Sequence, residues 1–311
     1  MTPPYFEDLP IGRRFEHAPA LTLTEGHAAV HQAVLGDRLR AVLDRRLSER
    51  VLGPGPPLAH PALVWDTAIG QSSAATGRVI ANLFYRGLLL HRPVRVGDTL
   101  RTVTEVVARR ENRVRQGRAP TGLVLLRIRT TDQDDCPVLD FTRCPMLPLR
   151  DDPTGEAGDE VGGPSDLDDD ALRAAAAGYD LSALPPGGDV QQGELEGGDV
   201  VDSAPALARM TLNVAMAHFD ATRAAHGRRL VYGGHTIALA ADQAARAAPG
   251  LVTILGWHAA DHTGPVFEGD TLRSRLEVER RDGPFVHLRS RVTAVERAEP
   301  VLDWRFVGLM P

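Results

Sequence analysis

The chain is written twice. Pro93-Val94-Arg95-Val96-Gly97-Asp98-Thr99-Leu100-Arg101 recurs as Pro265-Val266-Phe267-Glu268-Gly269-Asp270-Thr271-Leu272-Arg273, an offset of 172 residues. A second pair, Pro137-Val138-Leu139-Asp140-Phe141 and Pro300-Val301-Leu302-Asp303-Trp304, is offset by 163. Two anchors in the same order restrict the chain to a tandem architecture, one supersecondary unit built twice. The difference, 172 − 163 = 9, is a loop insertion in the first copy, and the polar stretch Glu111–Arg118 is where added length costs least.

Each copy follows one order. An apolar helical segment comes first: Ala62–Trp65 continuing into Gly70–Ala75 in one copy, Thr236–Ala245 in the other. Strand-like runs follow, in the second copy Val252–Trp257, Leu272–Val278, Phe285–Val295 and Val301–Leu309. The Gly-Asp-Thr triplets read as turns that start a strand. The expectation is an α+β fold of two tandem antiparallel sheets, each wrapped round a central helix. Between the copies, an Asp-, Glu-, Gly- and Pro-rich stretch holds one short helical run, Ala171–Ala177, closed by Pro185-Pro186-Gly187-Gly188. It reads as a linker crossing the surface. The predicted organisation is a first unit at 1–150, a linker at 151–189 and a second unit at 190–311.

Composition narrows the chemistry. All 35 basic residues are arginine, so neither a catalytic lysine nor a lysine Schiff base is available. A net charge of −6 gives no reason to expect nucleic acid as a partner. No apolar run approaches a membrane span, and the first residues have neither a basic start nor an apolar core, so a cytoplasmic location is expected. Cys136 and Cys144 match no four-ligand zinc spacing and read as buried apolar thiols. Trp257, His258, Asp261 and His262 sit at a strand end with irregular spacing; neither a metal nor any other cofactor is expected there.

The repeated P-V-x-x-G-D-T-L, with Tyr232-Gly233-Gly234-His235 ahead of the second central helix, resembles the MaoC-like double-hotdog hydratases, and within them the mesaconyl-coenzyme A hydratases. The likeness spans both halves, and the run Gly227-Arg228-Arg229-Leu230-Val231-Tyr232-Gly233-Gly234-His235 downstream of an Asn-x4-His pair is its more specific part. It implies a double hotdog and reversible addition of water to an enoyl thioester. That chemistry needs a base for water, a group to orient it, and donors for the charge that develops on the thioester oxygen.

Asn213 and His218, read without the resemblance, are a helix-capping Asn and a surface His. The resemblance puts them in the catalytic positions, where family members carry Asp or Asn and then His five residues later. On an unbroken helix, five residues would set the two about 140° apart, so the pairing implies a break between them. An amide cannot act as a base, which leaves His218 as base and acid and Asn213 as the group orienting water. The amides of Gly233 and Gly234, at a helix start, are the expected oxyanion donors, although Gly-Gly equally suits a tight turn. Tyr232 and His235 are possible substrate contacts, with a structural role also natural for His235.

The first copy carries Asp37, but Val42 stands where a histidine would be needed, and His27, His31 and His60 lie elsewhere. The first unit is therefore expected to shape the acyl tunnel, with Arg86 or Arg92 as candidates to meet coenzyme A phosphates. The leading expectation is hydration of a short, branched or mesaconyl-like enoyl-CoA. A non-catalytic acyl-CoA-binding protein is the alternative, and a thioesterase the third. One chain already holds both units, so a monomeric pseudo-dimer or a homodimer would serve.

Overall fold

The computed structural model describes residues 2–155, 158–163, 166–182 and 184–311. Helix α1 (Glu25–Leu35) and helix α2 (Pro61–Ser72) precede strands β1 (Ala81–Leu90), β2 (Thr99–Glu111), β3 (Thr121–Thr131) and β4 (Pro137–Pro148). Helices α3 (Asp169–Ala176) and α4 (Ala204–Met210) lead into the second round: α5 (Gly233–Ala247), then β5 (Thr253–His262), β6 (Thr271–Asp282), β7 (Phe285–Ala294) and β8 (Glu299–Leu309).

The main strands lie in the order β2-β3-β4-β1-β5-β8-β7-β6, part of a 12-stranded sheet, and every neighbouring pair is antiparallel. The halves join through β1 and β5, where Phe84 faces Asp261 and Leu89 faces Gly256. This is the tandem architecture that the repeat implied and the double hotdog that the resemblance implied.

The duplicated turns are built alike. Gly97 and Gly269 take φ of 106° and 91°, a region open to glycine and strained for residues with a side chain. Asp98 Oδ2 accepts from Arg95 N at 3.0 Å, and Asp270 Oδ2 from Phe267 N at 2.8 Å. Thr99 and Thr271 then open β2 and β6. The insertion falls where expected: residues 112–120 connect β2 to β3, whereas only Gly283 and Pro284 connect β6 to β7.

Every residue of α2 is buried, as is α5 from Gly234 to Ala245. Both helices carry polar side chains, such as Asp66 and Gln243, yet are buried, because the sheet and the other helix enclose them. Three tryptophans meet at the junction of the halves: Trp65 of α2, Trp257 of β5 and Trp304 of β8, with ring centroids 4.9, 5.9 and 6.4 Å apart. Edge-to-face pairs of this kind add about 0.5–1.5 kcal/mol each beyond area burial.

Helix α3 of the connecting segment turns Leu172 and Ala175 onto Leu89, Leu255 and Val307, so it covers the outer face of the sheet near the β1–β5 seam. The two cysteines behave differently. Cys144 is buried, but Cys136 is exposed, because it lies in the β3–β4 turn that Asp132 organises by accepting from the Asp134 and Cys136 amides. Among the described residues no helix is long and apolar enough to cross a membrane.

Candidate active site

The segment carrying Asn213 and His218 belongs to the second half but rests on the first. Helix α4 stops at Met210, Leu212 turns the chain at φ 61°, and a 3-10 turn at Met216–His218 follows, so the helix ends ahead of both residues and they share no continuous helix. Ser73 Oγ accepts from Val214 N at 2.8 Å, and the Gly77 carbonyl accepts from Met216 N at 2.9 Å. Both partners lie just beyond α2.

A cavity of about 240 Å³ opens between the halves. Asn213, His218, Tyr232 and Gly233 line it, together with Arg143, Tyr85, His262 and Thr76. Its apolar wall includes Ile69, Val79 and Val266. No Asp or Glu is among the described residues that line it.

His218 is nine-tenths buried, and its Nδ1 lies 2.7 Å from the Leu230 carbonyl. A carbonyl can only accept, so Nδ1 carries the proton and Nε2 keeps its lone pair for the cavity. Burial, chiefly, pushes the imidazole down to about 4, with Arg143 adding to the effect. The ring is therefore neutral near pH 7. Asn213 Oδ1 accepts from Ala215 N at 2.9 Å, which fixes the amide orientation and leaves Nδ2 as a donor.

Helix α5 begins at Gly233 with no capping side chain, and among the described residues neither the Gly233 nor the Gly234 amide has a hydrogen-bond partner. Such amides carry the positive end of the helix dipole. Both glycines are required by close approach. A Cβ at Gly233 would lie 2.6 Å from His262 Nε2, and one at Gly234 would lie 2.2 Å from Asp66 Oδ1 and from the Tyr232 hydroxyl. Gly233 lines the cavity directly, and Gly234 sits one residue deeper, against Asp66.

Tyr232 offers its ring rather than its hydroxyl, which donates to Asp66 Oδ1 at 2.9 Å. Its ring centroid is 5.9 Å from that of His218. Burial pushes Asp66 up to about 8, so it is a neutral carboxyl near pH 7, and His31 Nε2 lies 3.4 Å from its Oδ2. His235 is fully buried, outside the cavity lining, and among the described residues neither ring nitrogen has a hydrogen-bond partner.

In the first half, Asp37 accepts from Leu39 N at 2.8 Å and lies 3.5 Å from His60 Nε2. His60 caps α2 by accepting from Ala62 N. Val42 is half-buried in the short helix Arg40–Leu43. This place holds a cap and a buried carboxyl, with no histidine base at 42.

The arginines singled out for phosphate are engaged. Arg86 pairs with Asp261 at 2.6 Å, and Arg92 with Asp98 at 3.2 Å and with Asp132. A wider cleft of about 1260 Å³ instead shares Ile80, Ala81, Leu83 and His226 with the catalytic cavity. The β2–β3 connection lines it with Arg113, Arg115 and Arg118, joined by Arg110 at the end of β2. None of these four has a carboxylate within 4.0 Å among the described residues, although most arginines elsewhere are paired.

The four residues weighed for a metal go separate ways: Trp257 into the core, His258 against His287 at 2.9 Å, Asp261 to Arg86, and His262 to the cavity. The residue that sequence reasoning missed is Arg143. The 163-residue offset pairs it with Phe306, and that mismatch at a core position was the available signal.

No protein-family model matches the chain. It is 30% identical, over 94% of its length and 89% of the relative's, to the mesaconyl-CoA hydratase of Cereibacter sphaeroides. Among solved structures, Rv0216 of Mycobacterium tuberculosis, described as a conserved hypothetical protein with a double hotdog fold, is 47% identical, covers 99% of both chains and superposes with a TM-score of 0.86. A MaoC-domain protein described as a dehydratase, from Chloroflexus aurantiacus, is 26% identical over 99% of this chain and 97% of its own, with a TM-score of 0.81.

Proposed function

The chain belongs to the MaoC-like double-hotdog hydratase family, and on that footing we propose that it reversibly adds water across the double bond of a 2-enoyl-CoA thioester, with His218 as the proton-transfer group. The observation that carries the assignment is the tautomer of His218: Nδ1 is committed to Leu230, so Nε2 faces the cavity as an acceptor. Water gives a proton to Nε2 as its oxygen bonds to C3. The C2–C3 π pair shifts to make an enolate, whose oxygen takes hydrogen bonds from the Gly233 and Gly234 amides at the start of α5. The imidazolium then returns the proton to C2, so the net change is addition of one water. An imidazolium whose pKa burial holds near 4 is a strong acid for that return step. Asn213 orients the water through Nδ2.

In this reading residues 190–311 supply the base and donors, residues 1–150 supply the opposite wall, and 151–189 connect them. The nucleotide end of CoA lies in the arginine cleft, and the acyl group reaches the catalytic cavity past Ile80 and Leu83.

Hydrolysis of the thioester is disfavoured because no carboxylate is among the described residues that line the cavity. A purely binding role rests on Asn at 213, where no second base stands. Purified protein with crotonyl-, mesaconyl- and methyl-branched enoyl-CoA separates the three. The expected result is loss of enoyl absorbance without free thiol; free thiol, or saturable binding with no change in either signal, sinks the proposal.

A further inference from the structure

Asn213 and His218 stand on an irregular segment, and the first half supplies its side contacts. Val214 N donates to Ser73 Oγ at 2.8 Å, and Met216 N to the Gly77 carbonyl at 2.9 Å. Both partners belong to the 3-10 turn Ser73–Thr76 that follows α2, or stand next to it. That turn is itself held from the sheet. Arg143 of β4 is buried, and its Nη2 donates to the Ser72 carbonyl at 3.1 Å and to Thr76 Oγ1 at 2.9 Å, one contact at each end of the turn. The two N–H bonds of that nitrogen lie in a rigid plane, so they fix both acceptors at once. A chain of contacts thus runs from β4 through the turn to the backbone on either side of Ala215.

The duplication supplies a control. Helices α2 and α5 match at an offset of 172, since Gln71 and Gln243 donate to the Leu100 and Leu272 carbonyls, each at 2.9 Å. Arg143 stands opposite Tyr85 of β1, and Phe306 opposite Trp257 of β5, which lies 172 residues beyond Tyr85. At these offsets Ser73, Thr76 and Arg143 become Ala245, Ala248 and Phe306. The counterpart of the base-bearing segment lies against α5, where a Cβ at Gly36 would be 2.9 Å from the Asp242 carboxyl carbon. Asp37 there accepts from Leu39 N as Asn213 accepts from Ala215 N, but Val42 stands in place of the base. The clamp side chains and the histidine are therefore present together on one side and missing together on the other. Burying a guanidinium is costly, and a fold that needed it would need it twice. This one accompanies the base.

We propose that Arg143 is a positioning residue of the hydration step, holding His218 at the cavity through the turn after α2 and touching neither the water nor the thioester. The proposal rests on the hydratase reading for the reaction and adds what keeps the base in place. The rival role is direct contact with substrate, since Arg143 lines the cavity and its Nε has no hydrogen-bond partner among the described residues.

Two measurements test it. The first takes kcat and KM for Arg143→Met, Ser73→Ala and the double variant, with crotonyl-CoA or mesaconyl-CoA, whichever wild type hydrates faster. Each single variant is expected to lose kcat by about tenfold or more with KM little changed. The double variant should lose no more than the worse single, because both changes break one chain of contacts. Losses that multiply would mean that Arg143 acts on the substrate independently of the turn. A single variant with full kcat would mean that the turn does not set the base. Either result overturns the proposal. The second measurement needs no turnover: hydrogen exchange at the Val214 and Met216 amides. Arg143→Met is expected to speed exchange there by about tenfold or more relative to the amides of β7. Thr76→Val, which keeps the guanidinium and removes one acceptor, should act in the same direction, and it carries the test if Arg143→Met does not fold. Faster exchange at these amides supports the clamp even if no enoyl-CoA is hydrated, in which case the hydratase reading falls alone. Unchanged exchange overturns the clamp even if hydration proceeds.

Discussion

The carbonyl of Thr211 occupies the space that a side chain on Gly70 would need: a Cβ at position 70 would lie 1.8 Å from that oxygen. Gly70 is in α2 of the first half, and Thr211 opens the segment that carries Asn213 and His218 in the second. The absence of a side chain at Gly70 thus sets how closely the base-bearing segment lies against the opposite central helix. Gly70→Ala is expected to destabilise the protein by about 1–3 kcal/mol, the usual range for overpacking. It should also lower kcat by tenfold or more by displacing His218. Thermal unfolding and turnover measured on one preparation check both. An alanine variant with full kcat would show that the contact does not position the site.

The acid limb of the pH–rate profile should lie far below the usual histidine range. With His218 held near 4, its Nε2 stays unprotonated down to about that pH, so kcat/KM should remain level from pH 8 to pH 5. A fall centred near 6.5 would mean that His218 is not the base or is not desolvated. His218→Ala should reduce turnover by about 10²-fold or more with substrate binding largely kept. His31→Ala and His60→Ala should act on stability and not on the chemical step.

Asn213→Asp should preserve or raise activity. The carboxylate can accept from Ala215 N as the amide oxygen does now, and its second oxygen can accept from water where Nδ2 donates. A negative charge beside His218 would also raise the imidazole pKa, so the acid limb should move up in this variant. A loss of more than about tenfold, roughly 1.4 kcal/mol, would show that the Nδ2 donor is itself required.

Stability should peak at about pH 7. Burial lowers His31 to about 3 and His218, His235 and His262 to about 4, so between about 4 and 6.5 the unfolded chain binds protons that the folded chain refuses. Stability is therefore lost as pH falls through that window. Asp66 and Asp37 work in the other direction. Raised to about 8 and about 7, they hold protons in the folded state that the unfolded chain releases above its ordinary carboxyl range. Burial lowers His60, His258 and His287 too and raises Asp242, so the histidines outweigh the carboxyls through 6.5; above about 7 few histidines of the unfolded chain still bind a proton, the carboxyls dominate, and stability declines toward 8. Chemical denaturation at intervals from pH 4.5 to 8.5 reads the curve; a rise continuing from pH 7 to 8.5 would rule out protonated Asp66 and Asp37.

The fold was legible because duplication leaves marks that need no tertiary knowledge: matched turns at Gly97 and Gly269, and the inserted hairpin tip between them and the second anchor. The pair Asn213 and His218 was legible only through a resemblance, since their five-residue spacing fits neither face of a continuous helix. What the sequence hid depends on distant contacts. Arg86 and Arg92 look as available as any arginine until Asp261 and Asp132 are brought to them across the sheet. Arg143 reads as an ordinary strand residue until the junction with the second half closes a cavity over it. Which part of Tyr232 meets the cavity was hidden as well, because Asp66, 166 residues earlier in the chain, takes its hydroxyl and leaves the ring.

The arginines of the β2–β3 connection give the last prediction. Arg113, Arg115 and Arg118 lie on the insertion that the second copy lacks, and they line the cleft that adjoins the catalytic cavity. The nucleotide of CoA carries phosphates and the acyl-pantetheine portion carries none, so these side chains should stabilise the bound ester without touching the reacting atoms. Replacing all three by alanine is expected to raise KM for an enoyl-CoA by about tenfold or more while leaving kcat nearly unchanged, the pattern of an interaction equal in ground and transition states. The same variant should treat an enoyl-pantetheine like wild type, and the dependence of KM on salt should flatten because the screened charges are gone. If the enoyl-pantetheine loses as much as the CoA ester, the arginines support the fold of the cleft and do not hold phosphate. If neither KM moves, the nucleotide lies elsewhere.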